Sequence, residues 1–324
     1  MSTTPNITDW TLTDLQDHLK MAIDLEFWTI PFYRVAYHAA GSGNATAQGL
    51  INDVSKQEMF HCQCAWNMAQ AFGVTDYDFT NRGFTYQGTN IPHLDFSLDD
   101  PNPATSAVTI NGTSYDFTSY SAALNPSTFA ERINAMCLVE FPDWQAPDSQ
   151  ELEPDISSYP SIGHFYAAIQ TLMNETTPQA FKDGTLVSDA ISGGGSTQTG
   201  LFGSNMPSGY SQTVSDSGTA GLGQINTLIN TIVEEGEGTS SAATSVPAEY
   251  QFDGDADPHF NSFLKIYAEG ITQQTMASDG VDKIMAGLTT FLSAVQAMFE
   301  AGGNSDDFMG AMFTFDDTIA AQFS

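Results

Sequence analysis

Two carboxylates and an imidazole stand where apolar residues are expected. Glu58 and His61 are three positions apart, one helical turn, within the series Ile51, Val54, Glu58, His61, Ala65, Met68, Phe72, whose steps are all 3 or 4. Glu26 takes the same kind of place in the series Leu15, Leu19, Ala22, Glu26, Ile30, Tyr33. A carboxylate on an apolar stripe needs a proton, a cation or a hydrogen-bonding partner, because an unpaired charge in a core is strongly destabilising. Basic partners are scarce: the chain holds 8 Lys and Arg against 39 Asp and Glu. A Glu from one helix with Glu-x-x-His from the next is how helical bundles hold iron or manganese, through hard oxygens and imidazole. A hydrogen-bonded network with a protonated Glu is the competing reading, and spacing alone leaves both open.

The other metal-ligating candidates are weaker. Cys62-Gln63-Cys64 has no second cysteine pair to complete a zinc site, and three cysteines are too few for a disulfide framework. The odd count leaves at least one thiol free, and buried free thiols are the plain expectation.

Helices must carry the three residues. The first opens with Thr13 and Gln16 spaced as a capping box, and Pro31 marks a kink or an early end. The second spans about 50–72 and stops at Gly73. Residues 74–127 are turn-rich, with short strands around 107–115 turning at Asn111-Gly112. A short helix is expected at 126–139, a third long one after Pro160, and others at 222–235, 258–269, 279–300 and 306–322. The helix at 279–300 shows a core stripe of Ile284, Leu288, Phe291, Val295 and Met298. The pattern predicts a mainly α protein, a helical bundle with long inserted loops and a few short strands.

Composition limits the partners. With 324 residues the chain is long enough for a large core, and no apolar run is long enough for a membrane span. Charged residues make up 15%, against roughly 25% in a typical domain, so the net charge of −31 reflects missing bases rather than added acids. Nucleic acid is an unfit partner, since phosphates need cations. The first residues lack a basic and an apolar segment, so no secretory signal is expected, and a cytoplasmic location follows.

The ordered motifs resemble a known family. His18 to Tyr33 looks like the opening helix of the ferritin-like domain named for iminophenylpyruvate dimer synthases of violacein- and rebeccamycin-type pathways. Glu58-Met-Phe-His61, Asn67 to Gly73, Val139-Glu-Phe-Pro142, Ser161 to Ile169, Ile232 to Gly238 and Pro258 to Phe263 resemble its later segments in order. The resemblance covers roughly residues 12–269 and implies a single ferritin-like domain over 1–324, with C-terminal helices at 279–322. It implies a four-helix bundle whose metal ligands are Glu26, Glu58, His61 and His259, with Glu234 or Glu237 added. His164 departs from the pattern, where the family carries Glu. His164 stays among the expected ligands, since an imidazole still binds iron, but it cannot bridge two ions as a carboxylate can, so the change favours a mononuclear or degenerate site.

Two functions remain open at this point. One is a non-haem iron or manganese protein, an oxidase or oxygenase acting on a small amino-acid-derived substrate. The alternative is a non-enzymatic, self-associating structural protein of the octin type, which forms the vacuolar crystals used by zygomycetes in gravity sensing; a vacuolar location would go with it. The acidity is compatible with assembly, because repulsion at neutral pH fades as carboxylates protonate.

Overall fold

The computed structural model describes residues 9–89, 107–110, 113–141, 162–173, 179–193, 198, 200, 213–236, 258–300 and 305–324. Among them are eight α-helices: α1 Leu12–Ala40, α2 Ala45–Ala71, α3 Phe129–Val139, α4 Ile162–Leu172, α5 Gly218–Gly236, α6 His259–Glu269, α7 Gly280–Glu300 and α8 Ser305–Ala320. Short 3-10 turns occupy Phe79–Asn81 and Val187–Ala190. The hairpin pairs β1 Val108–Ile110 with β2 Thr113–Tyr115, in antiparallel register Ile110 to Thr113. Its expected turn, Asn111-Gly112, lies outside the described residues.

The apolar stripes explain the arrangement. α1 and α2 form an antiparallel hairpin across the short turn at Gly41–Asn44, and each buries most of its residues. α2 packs on α5, α5 on α4, and α4 back on α1, which closes a four-helix bundle. α3 and α6 pack together and touch α1 and α2 respectively. The last helix pair, α7 and α8, is a second hairpin, and the stripe Ile284, Leu288, Phe291, Val295 and Met298 is buried as expected. It is fastened to α1 by Arg34 and Asp316, whose guanidinium Nε lies 2.7 Å from the carboxylate, and by His38 at 3.1 Å.

Three local expectations need correction. The capping box uses Thr11 and Asp14, not Thr13 and Gln16: the Thr11 hydroxyl accepts from the Asp14 N–H at 3.2 Å, and Asp14 accepts from the Thr11 N–H at 2.7 Å. The helix begins earlier than expected, so Gln16 is free to donate to the Phe72 carbonyl at the end of α2, at 2.8 Å. Nor does α1 end at Pro31. Pro31 is buried inside the helix, its fixed φ already suits the α region, and packing along α1 outweighs the one hydrogen bond its ring removes. The start of α2 is also earlier than expected, at Ala45.

The stop at Gly73 holds. Its φ of +78° supplies the left-handed residue of a Schellman ending, in which Val74 N–H reaches the Ala69 carbonyl and Gly73 N–H the Gln70 carbonyl, both at 3.0 Å. The three thiols, Cys62, Cys64 and Cys137, are all free and buried.

Candidate metal centre

The periodicity that places Glu26, Glu58 and His61 on apolar stripes also brings them together. All three are buried, and so are His259, Glu140 and Glu235. His61 Nδ1 lies 3.6 Å from Glu26 Oε2 and 3.9 Å from Glu58 Oε1. His259 enters from the first turn of α6 and sets its Nδ1 2.7 Å from Glu58 Oε1 and 3.4 Å from Glu140 Oε2. The two imidazoles stack with centroids 5.3 Å apart. Donor atoms of Glu58, His61 and His259 all fall within 4.8 Å of one another. Ligands of one ion, bound at about 2.0–2.2 Å, are separated by a similar span.

Of the other expected residues, His164 lies on α4, Glu234 lies on α5, and the side chains of both are outside what the structure describes. Glu237 is outside the described residues. Two carboxylates that the sequence reading did not name as ligands are here instead. Glu140 follows α3 directly as its C-cap, and Glu235 lies on α5 with Oε2 2.9 Å from His61 Nε2. The signal was present for both. The stripe Phe129, Ile133, Met136 reaches Glu140 by steps of 4, 3 and 4, and Ile225, Leu228, Ile232 reaches Glu235 by steps of 3, 4 and 3.

Hydroxyls meet the carboxylates from behind. Tyr166 donates to Glu26 Oε1 at 2.6 Å, and Tyr33 to Glu140 Oε1 at 2.5 Å. Thr29 Oγ1 lies 2.8 Å from Glu58 Oε2 and 2.7 Å from the Glu26 carbonyl, so its single proton has two acceptors in reach. Burial and the adjacent carboxylates hold both phenols well above their usual range, so they remain donors.

The electrostatics describe a site short of positive charge. Burial, then Glu140, pushes Glu58 up to about 7 against the pull of His259. Burial opposes charge on His259, yet Glu140 and Glu58 raise it to about 9. His61 is raised too, where Glu235 and Glu26 outweigh burial. Glu58 and the two imidazoles shift upward together, so in the absence of another cation the cluster holds protons.

The hydrogen-bond inventory is incomplete in a telling way. His259 Nε2 makes no hydrogen bond among the described residues, although the ring is fully buried. His259 Nδ1 is ion-paired with Glu58 Oε1 at 2.7 Å. Glu235 Oε1 likewise has no partner among the described residues. Buried polar atoms are normally satisfied, and unpartnered ligand-type atoms beside this many carboxylates fit convergence on an ion. The residues present therefore fit a hard cation of the iron or manganese kind.

The match to known proteins follows the same span. The family model for ferritin-like proteins matches residues 19–268, which include Glu26, Glu58, His61, Glu140, Glu235 and His259. The crystal structure at 1.95 Å of a ferritin like protein from Caulobacter vibrioides is similar, with a TM-score of 0.74 at 30% identity; the match covers 97% of this chain and 96% of that one. No curated protein matches the sequence.

Proposed function

We propose, for a chain that belongs to the ferritin-like family, that the buried cluster binds one iron or manganese ion through Glu26, Glu58, His61, Glu140 and His259. The observation that carries this reading is the buried convergence of Glu58, His61 and His259, whose donor atoms lie within 4.8 Å of one another while His259 Nε2 has no hydrogen bond among the described residues. One ion suits the donor set, because Glu58, His61 and His259 fit around a common point and Glu58 Oε1 faces both imidazoles. The expected His164 at the family's Glu position supports the same number. Carboxylate and imidazole ligands leave iron or manganese able to change oxidation state, which is the chemistry the ion would supply.

The chain's own residues would do the rest. Glu26, Glu58 and Glu140 neutralise the ion, while the imidazoles add donors without adding negative charge. Burial under α1, α2, α3 and α6 keeps bulk water from the ligand atoms. The motif order supports the finer reading of an oxidase or oxygenase of the iminophenylpyruvate dimer synthase type, acting on a small amino-acid-derived substrate. Titration of the metal-free full chain with Co2+ and Mn2+ tests the site itself. Binding that is lost in Glu58→Ala and His259→Ala supports it, and a parent chain that binds neither ion refutes it.

A further inference from the structure

In Glu26, Glu58, Glu140 and His61 one polar atom is held by a hydrogen bond and the other faces the rest of the cluster. Glu26 gives Oε1 to Tyr166 and turns Oε2 toward His61. Glu58 gives Oε2 to Thr29 and turns Oε1 toward both imidazoles. Glu140 gives Oε1 to Tyr33 and turns Oε2 toward His259. His61 gives Nε2 to Glu235 and turns Nδ1 toward Glu26 and Glu58. Four side chains, on α1, on α2 and at the end of α3, show one pattern.

We infer that Tyr33, Tyr166 and Glu235 are positioning residues that select which atom of Glu140, Glu26 and His61 faces the ion, and that Thr29 does the same for Glu58. The inference rests on the proposed metal site and says how its geometry is preset. Glu235 is thereby separated from the ligands. The two nitrogens of an imidazole point to opposite sides of the ring, so a carboxylate bonded at Nε2 cannot also reach an ion held at Nδ1. Its work is to accept the Nε2 proton and leave the Nδ1 lone pair free. Thr29 is the weakest of the set, since the Glu26 carbonyl competes for its proton.

The test uses the full chain and Co2+, whose visible absorption reports ligand geometry, with circular dichroism to establish that every variant is folded. Tyr166→Phe, Tyr33→Phe and Glu235→Leu should each weaken Co2+ about 10–100-fold and alter the absorption bands. Thr29→Val should weaken it less. Glu235→Gln keeps an acceptor for the Nε2 proton and should bind within about threefold of the parent, whereas Glu58→Gln should not. If the parent binds Co2+ while the two Tyr→Phe variants and Glu235→Leu bind with unchanged affinity and spectrum, the positioning roles are refuted and the metal site stands. If Glu235→Gln falls as far as Glu58→Gln, Glu235 is a ligand and its assignment here is wrong. A parent that binds no Co2+ overturns the site and the positioning roles together.

Discussion

Tyr166 on α4 donates its phenol proton to Glu26 on α1 at 2.6 Å, so two walls of the bundle are joined by a hydrogen bond inside its core. The bond does not depend on bound metal. Tyr166→Phe should destabilise the metal-free chain by about 1–3 kcal/mol, because it leaves a buried acceptor oxygen unpaired. Denaturant melts of the two proteins measure this directly, and coincident midpoints would contradict it.

Arg132 carries the opposite kind of burden. Its side chain is fully buried on α3, and one bond to the Leu124 carbonyl at 2.9 Å serves it while Nε and Nη1 have no partner among the described residues. Burial lowers its pKa to about 9. A cation whose folded pKa is depressed weakens the fold at pH values below that pKa, and the penalty fades as pH rises from about 9 toward the ordinary arginine range. Arg132→Met should therefore gain about 1–3 kcal/mol at pH 7. The parent-to-variant difference should shrink above pH 9. A variant less stable than the parent at pH 7 would show that the charge is needed.

Asp316 reports on the seam between the last hairpin and α1. Burial raises its pKa, but His38 and Arg34 outweigh that and hold the carboxyl below its usual range. Depressed carboxylates add stability above the unfolded pKa, near 4, which is lost as pH falls through the folded value. Asp316→Asn should cost about 1–2 kcal/mol at pH 7, a figure tempered by the carboxylate's partial exposure. The melting difference should narrow as the pH falls below about 4 and close once Asp316 is protonated in the folded chain as well.

Two glycines separate backbone need from chance. A Cβ on Gly221 would collide with the Asp216 carbonyl oxygen and come within 2.8 Å of Ile191 Cγ2, whereas one on Gly49 meets nothing within 4 Å among the described residues. Gly221→Ala should destabilise by about 1–3 kcal/mol. Gly49→Ala, at an exposed position of α2, should stabilise by about 0.5–1 kcal/mol by removing backbone entropy from the unfolded chain. Thermal melts in which both variants move the same way would contradict the contrast.

How much of this was legible in the sequence depends on periodicity. Glu26, Glu58 and His61 stood out because each interrupts a stripe of at least five residues with helical spacing. Glu140 follows a short 11-residue helix as its cap, where a stripe has few members to establish its phase. Glu235 was hidden by its neighbours: Glu234, Glu235 and Glu237 crowd one turn, and only the phase set by Ile225, Leu228 and Ile232 picks it out. The hydroxyl partners could not be read at all, since Tyr166 and Glu26 are 140 positions apart and nothing local links them. Helix starts were misread by a few residues because a Thr-x-x-Gln spacing at Thr13 competed with the true cap at Thr11.

Metal content is the most direct test of the central claim. The full chain is stripped with a chelator, reloaded anaerobically with Fe2+ and, separately, with Mn2+, desalted and measured by elemental analysis against protein concentration. The account predicts about one ion per chain in the parent, and loss of that ion in Glu58→Ala and in His259→Ala while both variants remain folded. No retained metal in the parent would contradict it, as would metal retained equally by both variants.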